Sequence, residues 1–408
     1  MTPPPLYIAL RFLGNRKRSF FLSLGGVVFG VAIFICTQAQ TQGFAKNFID
    51  STLGSNGALA LKARVQSLDD AADLPVHPPH RRLFQGINDA AQIMRVSRQF
   101  SNVAACSPIL RGNLTARAGF QSATVDLFGI DLAPHLRTTN LAKQIEAGNL
   151  DEFRNNPSSV IVGAKLANAL LVVPGDSIQL LSPDGEYRRF TVAATARSGV
   201  GVVDAARIYC HSKVAQTLLH KGYNASMIIY KLRDPGRAPA LAARFESLFG
   251  HETESWQDRE EGNLQLFLTI RLSAAITVSL IILLAGFGIF NVLTMTVLSK
   301  VKEIAILRSI GYRRGDISAI FLWQGAMIAG AGSVLGCGAG ALLTMLVAHI
   351  PIRVRGLLYA DHFLVAWDWR HYVWGTVLAL VAVAIASYVP ARRAGLLSPV
   401  STLRGTSG

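Results

Sequence analysis

Few side chains in this sequence stand at spacings that could support bond-making chemistry. His77 and His80, three positions apart, could in principle supply two ligands to a metal ion. Pro78 and Pro79 separate them and no cysteine is near, so 69–79 reads as an exposed loop instead. His251-Glu252 has no second histidine to complete an H-E-x-x-H pattern and reads as surface. Cys36, Cys106, Cys210 and Cys337 lie far apart with no C-x-x-C pair, which indicates neither a zinc site nor a disulfide framework. Cys106 and Cys210 share one soluble segment, where a disulfide and two buried thiols are both open. A G-x-S-x-G elbow is missing, no carboxylate pair stands out, and the phosphate-cradling G-x-x-x-x-G-K-[ST] sequence is missing as well. The sequence therefore assigns no catalytic, cofactor-binding or metal-binding residue, and no cofactor.

The elements that would position any function are membrane elements. The chain has 408 residues, 40 Lys+Arg against 25 Asp+Glu, and a net charge of +15, yet only 16% of it is charged. A nucleic-acid binder draws such an excess from dense charge; here charge is scarce and half the residues are apolar. Disorder is excluded because so apolar a chain collapses. A membrane helix needs about 20 mostly apolar residues, and four uncharged stretches qualify: 19–45, 272–299, 317–352 and 371–391. A secretory signal at the first is set aside, because its apolar run exceeds the roughly 7–15 residues of such a signal. The bulky Ile35 before Cys36 also argues against a lipoprotein cleavage site.

Charge then sets orientation. The N-terminal segment, the 300–316 link and the C-terminal tail together carry twelve basic residues, opposed only by Glu303 and Asp316. Basic residues collect on the cytoplasmic side, so both termini and the link are expected inside. Segment 46–271 is then outside, with a short external loop at 353–370. The expected fold class is an α-helical membrane protein with four transmembrane helices, one plus three, and a large external α+β domain between the first and second. An amphipathic segment 1–18 precedes the first helix, and a cytoplasmic tail 392–408 follows the last.

The external segment is soluble in composition, with 25 basic and 21 acidic residues. Short β-rich runs at 159–162, 177–181 and 187–194, punctuated by Gly, Pro and Asp, predict a small sheet or barrel. Helices are predicted at 163–171, 212–219 and 238–249. A mixed region near 56–135 and 215–258 is expected to hold a β-rich insertion near 136–214.

The link itself is the most informative segment. Val301, Ile304, Leu307 and Ile310 are spaced to share one face of a short helix that Gly311 ends, with Lys302, Glu303 and Arg308 elsewhere. By itself this fits a helix lying on the inner headgroups. The run Lys302-Glu303-Ile304 through Leu307-Arg308 to Gly311, followed by Arg313-Arg314, closely resembles the cytoplasmic link of FtsX-like ABC transporter permeases. The C-terminal run is similar to that family's terminal motif, carried here by Pro390, Arg392, Arg393, Pro399, Leu403 and Arg404. The start, Ala9-Leu10-Arg11 with a basic triplet and a glycine-containing span, resembles it too. Gly43-Phe44 and the 175–185 turns resemble the lipoprotein-releasing (LolC/LolE) branch, beside the MacB-like exporters.

The resemblance implies that the link is a coupling helix docking on a separate ABC ATPase, present in two copies. Lys302, Glu303, Ile304, Leu307, Arg308 and Gly311 are the positions carried over. It also implies a second permease subunit, as homo- or heterodimer, an inner-membrane location, contact with membrane lipid, and a periplasmic or outer-membrane partner; no nucleic acid is implied. Release or export of lipoproteins, lipids or amphipathic substrates is the expected function. Mechanical control of a cell-wall hydrolase and a non-transporting sensor or adaptor are the alternatives. Small-residue stripes at Gly26 and Gly30, and at Gly332, Gly336 and Gly340, suit close helix packing, either within the chain or between two copies. Asn291, alone among apolar residues, is expected to hydrogen-bond across helices. No span carries a charged residue for an ion relay, which disfavours secondary transport.

Overall fold

The computed structural model describes residues 9, 17–63, 65–66, 83–84, 86–87, 89–182, 185–221, 225–351 and 362–396. His77, His80, Arg11, the loop 352–361 and the terminal Pro399, Leu403 and Arg404 lie outside them, as does most of segment 1–18. In chain order the elements begin with helix α1 (Lys17–Asn56), strands β1 (Leu59–Lys62), β2 (Val65–Gln66) and β3 (Leu83–Phe84), and helix α2 (Ala90–Ser97). Strands β4 (Val103–Ala118) and β5 (Gln121–Ile130) form a hairpin, followed by α3 (Leu132–Thr138), α4 (Leu141–Gln144), β6 (Ile145–Gly148) and α5 (Leu150–Asn155). Then come β7 (Ser159–Gly163), α6 (Ala164–Leu170), β8 (Ser177–Leu181), β9 (Tyr187–Ala196), α7 (Gly201–Ala206), β10 (Arg207–His211) and α8 (Ser212–Leu218). The rest is β11 (Met227–Leu232), α9 (Ala238–Phe249), β12 (Thr253–Ser255), α10 (Trp256–Arg259), α11 (Glu261–Ser299), α12 (Val301–Ser309), α13 (Arg314–Ala348) and α14 (Trp369–Leu396).

The described residues form two compact units, one within 1–45, 266–352 and 362–408, the other within 46–265; α1 and α11 contribute to both. In the second unit β4, β5, β10, β7, β9 and β8 each pair with the next, and β8 returns to β4, so six strands close into a barrel. Period-two alternation fills it: Leu110 and Leu114 of β4, Val125 and Leu127 of β5, Ile208 and Cys210 of β10, and Phe190 and Val192 of β9 lie in one core. Gly112 and Gly129 stand at inward positions where a β-carbon would strike Leu219 and Ala215, and this lets α8 pack close. Strands β11, β1 and β12 extend the sheet beyond β4. Their core contains Tyr230, Phe245 of α9 and Trp256, and the Tyr230 hydroxyl lies 3.2 Å from Ser97 Oγ. Cys106 belongs to this core and Cys210 to the barrel interior, and both are free thiols.

Among its described residues the first unit holds four helices long and apolar enough to cross a membrane. Their 28–40 residues exceed the span's requirement, because α1 continues to Asn56 and α11 starts at Glu261. α11 is launched by α10, whose cap is reciprocal: Ser255 Oγ accepts from Asp258 N, and the Asp258 carboxylate accepts from Ser255 N.

Candidate functional site

Helix α12 begins one residue after α11. Glu303 in its first turn and Arg308 in its last suit the helix dipole. It ends where Gly311 adopts φ +109, a left-handed value that glycine takes readily, with Gly311 N donating to Arg308 O at 3.2 Å. Asp316 then accepts from Arg313 N at 2.8 Å, satisfying a free donor at the start of α13.

The nine residues present two faces. Ile304 and Ala305 are buried and Leu307 and Arg308 half-buried; Ile304 packs in the core that holds Ile317, Phe321 and Ala391. Arg308 Nη1 donates to Gly395 O at 3.4 Å, tying α12 to α14. There Gly395 lies against the Arg314 backbone, and Ser318 Oγ donates to Ala391 O at 3.0 Å. The buried Pro390 belongs to this crossing, while Arg392 and Arg393 are exposed. The opposite face of α12 shows Lys302, Glu303 (paired with Lys300), Ile306, Ser309 and Ile310. The expected stripe Val301, Ile304, Leu307, Ile310 is thus corrected: Ile310 is 73% exposed, because it lies six residues past Ile304, about 240° further round, and caps the helix. Of the six carried-over positions, Ile304, Leu307 and Arg308 hold the helix to its own chain, whereas Lys302, Glu303 and Gly311 face outward. Ile306 escaped the sequence reading, and Ile310 was read onto the opposite face; the i, i+4 spacing of Lys302, Ile306 and Ile310 was the available signal.

The glycine stripes meet neighbours within the chain. On α13, Gly332, Gly336 and Gly340 lie against Val27, Val31 and Ile35 of α1, and on α1, Gly26 and Gly30 lie against Ala285 and Ile282 of α11. Gly375 of α14 touches Phe34 and Ile35, so α1 touches all three other long helices. Asn291 departs from expectation. It is exposed on α11 and makes no side-chain hydrogen bond among the described residues, because it points away from the other long helices; Leu284, Phe287 and Leu298 are exposed beside it.

In the second unit the last turn of α1 is clamped by polar groups. Asn140 N donates to Gly54 O at 2.7 Å, Gln144 Nε2 to Ser55 Oγ at 2.9 Å, and Arg259 Nη2 to Gly57 O at 3.0 Å. Arg207 Nη2 donates to Asn56 Oδ1 at 2.9 Å, its guanidinium lying 4.1 Å above the Phe128 ring. Cations here match the negative end of the helix dipole. Close by, His135 is buried, with Nδ1 3.4 Å from Ser107 Oγ; burial first, and Arg207 second, push its pKa down to about 3. Among the described residues no three His, Cys, Asp or Glu side chains group as metal ligands would.

A family model described as the MacB-like periplasmic core domain matches residues 20–248, and one described as the FtsX-like permease C-terminal matches 275–399. The lipoprotein-releasing system transmembrane protein LolC of Neisseria meningitidis serogroup B is 24% identical, covering 98% of each chain. LolE of the same system in Haemophilus influenzae is 22% identical over 98% of this chain and 99% of its own. The pyoverdine export ATP-binding/permease protein PvdT of Pseudomonas fluorescens is 23% identical over 95% of this chain, but over 57% of its own length.

Proposed function

The chain belongs to the permease family that joins a MacB-like periplasmic core domain to an FtsX-like permease domain, and from that premise we propose that it is the membrane subunit of an ABC exporter releasing lipoproteins, lipids or other amphipathic substrates at the outer face. The near-complete coverage of LolC and LolE favours lipoproteins within that class. Both termini and α12 are assigned to the cytoplasm, the second unit to the periplasm, and the whole to the inner membrane. ATP hydrolysis is assigned to a separate ATPase in two copies, and a second permease subunit completes the assembly.

The observation that carries this reading is the outward face of α12. Two isoleucines one turn apart stand exposed beside Lys302 and Glu303, while Ile304 and Arg308 fix the helix to α13 and α14. A helix rigidly held on one side and apolar on the other can be pushed by a partner without bending. Motion there would pass through the packed helices to α1 and α11, which continue into the second unit. The test is copurification from membranes: tagged wild-type chain should retain an ATPase. Ile306→Asp with Ile310→Asp should lose it while remaining membrane-integrated. Retention of the ATPase by that double variant would overturn the assignment of α12.

A further inference from the structure

Strand β4 is longer than the cover its neighbours give it. β11 pairs with Val103 to Ile109, but β5 pairs only from Ile109 onward, because after Ile130 the chain turns at Asp131 into α3. Among the described residues no strand therefore lies beside Ala104 to Pro108 on the β5 side. Ser226 N donates to Ile109 O on the β11 side, at 2.9 Å. Successive residues point their backbone groups to opposite sides, so Ser107 also serves β11, while Cys106 and Pro108 face the gap. Ala104 is the extra residue of a bulge, skipped where the register shifts opposite Lys231 and Leu232. Pro108 has no N–H to offer and stands at an edge position, where proline costs a strand least. Among the described residues neither Ala104 nor Cys106 has another backbone partner on that side. Cys106 is 2% exposed, and a buried N–H and C=O left unpaired are rare in folded proteins.

A cleft of about 470 Å³ opens over this edge. Ala104, Cys106 and Pro108 line it from β4, Met94 and Arg98 from the end of α2, and Pro134 and Arg137 from α3, with Asp131 its one acidic group among the described residues. Burial pushes the Cys106 thiol up, and the positive charge of Arg98 opposes that rise. Among the described residues neither Arg98 nor Arg137 has a carboxylate partner.

We propose that this cleft binds a short extended polypeptide segment, which adds to the free edge of β4 as a further strand and carries acidic side chains toward Arg98 and Arg137. An incoming strand offers donors and acceptors in the alternation that Ala104 and Cys106 present, and every second side chain then faces the same flank. A small anion would meet the arginines but leave the backbone groups unpaired; a helix has no free backbone groups along its length. The inference rests on the sheet edge and is independent of the ATPase partner.

The test uses the full chain in nanodiscs of zwitterionic phospholipid and a fluorescein-labelled Glu-Val-Glu-Val-Glu peptide, read by anisotropy against empty nanodiscs. Saturable binding is expected. Methylating alternate peptide amides, which removes the strand bonds without touching the protein, should weaken it about tenfold or more. Arg98→Gln with Arg137→Gln should do the same, and Ala104→Trp, which fills the cleft from an exposed position, should abolish it. A Lys-Val-Lys-Val-Lys peptide should bind at least tenfold more weakly than the acidic one. Absence of binding beyond empty nanodiscs, equal binding of the methylated peptide, or equal binding of the basic peptide would each overturn the proposal.

Discussion

Gly336 of α13 and Val31 of α1 touch with no room for another atom: a β-carbon on Gly336 would stand 2.8 Å from Val31 Cβ and 3.2 Å from Val28 O. One of those obstacles is backbone, so side-chain rotation cannot relieve the clash. Gly336→Ala is expected to destabilise the helix packing by about 1–3 kcal/mol, the usual cost of overpacking, and Gly336→Leu to prevent it. Gly330, also on α13, has nothing within 4 Å. Gly330→Ala should be neutral or slightly stabilising, by up to about 1 kcal/mol. Thermal unfolding of the purified chain in detergent reads both, and equal effects at the two sites would contradict the packing described.

The four apolar stretches were legible because lipid tolerates no free charge, and that demand writes itself into an uncharged run. The same criterion hid the polar extensions: α1 runs past Lys46 and Asp50 to Asn56, and α11 begins at Glu261, where helix persists without an apolar sequence. In the second unit, β8 and α9 fall where their alternation and spacing predict them. β4 did not announce itself, because Pro108, Gly112 and Asn113 interrupt its sequence. Each is explained only in three dimensions, Pro108 by the missing neighbour and Gly112 by the approach of Leu219. On α12 the period suggested one apolar stripe, but a helix clasped by its own chain on one side and open on the other needs two. Only packing tells Ile304 from Ile306.

Asn291 leads to a prediction about assembly. An amide exposed on a membrane helix is costly unless another polar group meets it. Asn carries both donor and acceptor, so its counterpart in a second copy can satisfy it, as a single buried Asn does in a coiled coil. Phe287→Cys and Asn291→Cys should give oxidative crosslinks between copies in native membranes. Leu342→Cys, exposed on α13, should not. Asn291→Leu should weaken association from a few-fold to about thirty-fold, in line with about 0.6–2 kcal/mol for such contacts. Crosslinking at Leu342 but not at 287 or 291 would place the subunit contact elsewhere.

His135 makes the second unit sensitive to acid. Its pKa is held down to about 3 in the folded state, chiefly by burial, against about 6.5 when unfolded. Below pH 6.5 the unfolded chain takes up a proton that the folded chain refuses, so stability present above pH 6.5 is lost as pH falls toward 3. The slope is at most about 1.4 kcal/mol per pH unit. Pulse proteolysis of the full chain in urea should show about 2 kcal/mol lost between pH 6.5 and 5. His135→Gln, lower in stability at neutral pH, should lose distinctly less over the same interval. An identical pH slope in both proteins would mean that other groups set it.

Arg207 makes the last prediction, about how α1 is held. Arg207 is 8% exposed, with Nη2 on Asn56 Oδ1, Nη1 3.4 Å from the Tyr209 hydroxyl, the Phe128 ring below, and Nε unpartnered among the described residues. Burying a cation with incomplete pairing is costly, and what it gains here is a hold on the final turn of α1 at the end where the helix dipole is negative. Arg207→Met keeps the stem and the packing on Phe128 but releases Asn56. Loss of a charge-assisted hydrogen bond worth about 1.5–3 kcal/mol should speed amide exchange at residues 53–57 by roughly ten- to a hundredfold in the full chain. Leu127 of β5 and Val162 of β7, deep in barrel strands, should exchange as before. Arg259→Met, which frees Gly57 O instead, should produce the same local loosening. If neither variant changes exchange at the end of α1 while both fold, the hold belongs to the backbone bond from Asn140 to Gly54, and the arginines serve only to balance charge.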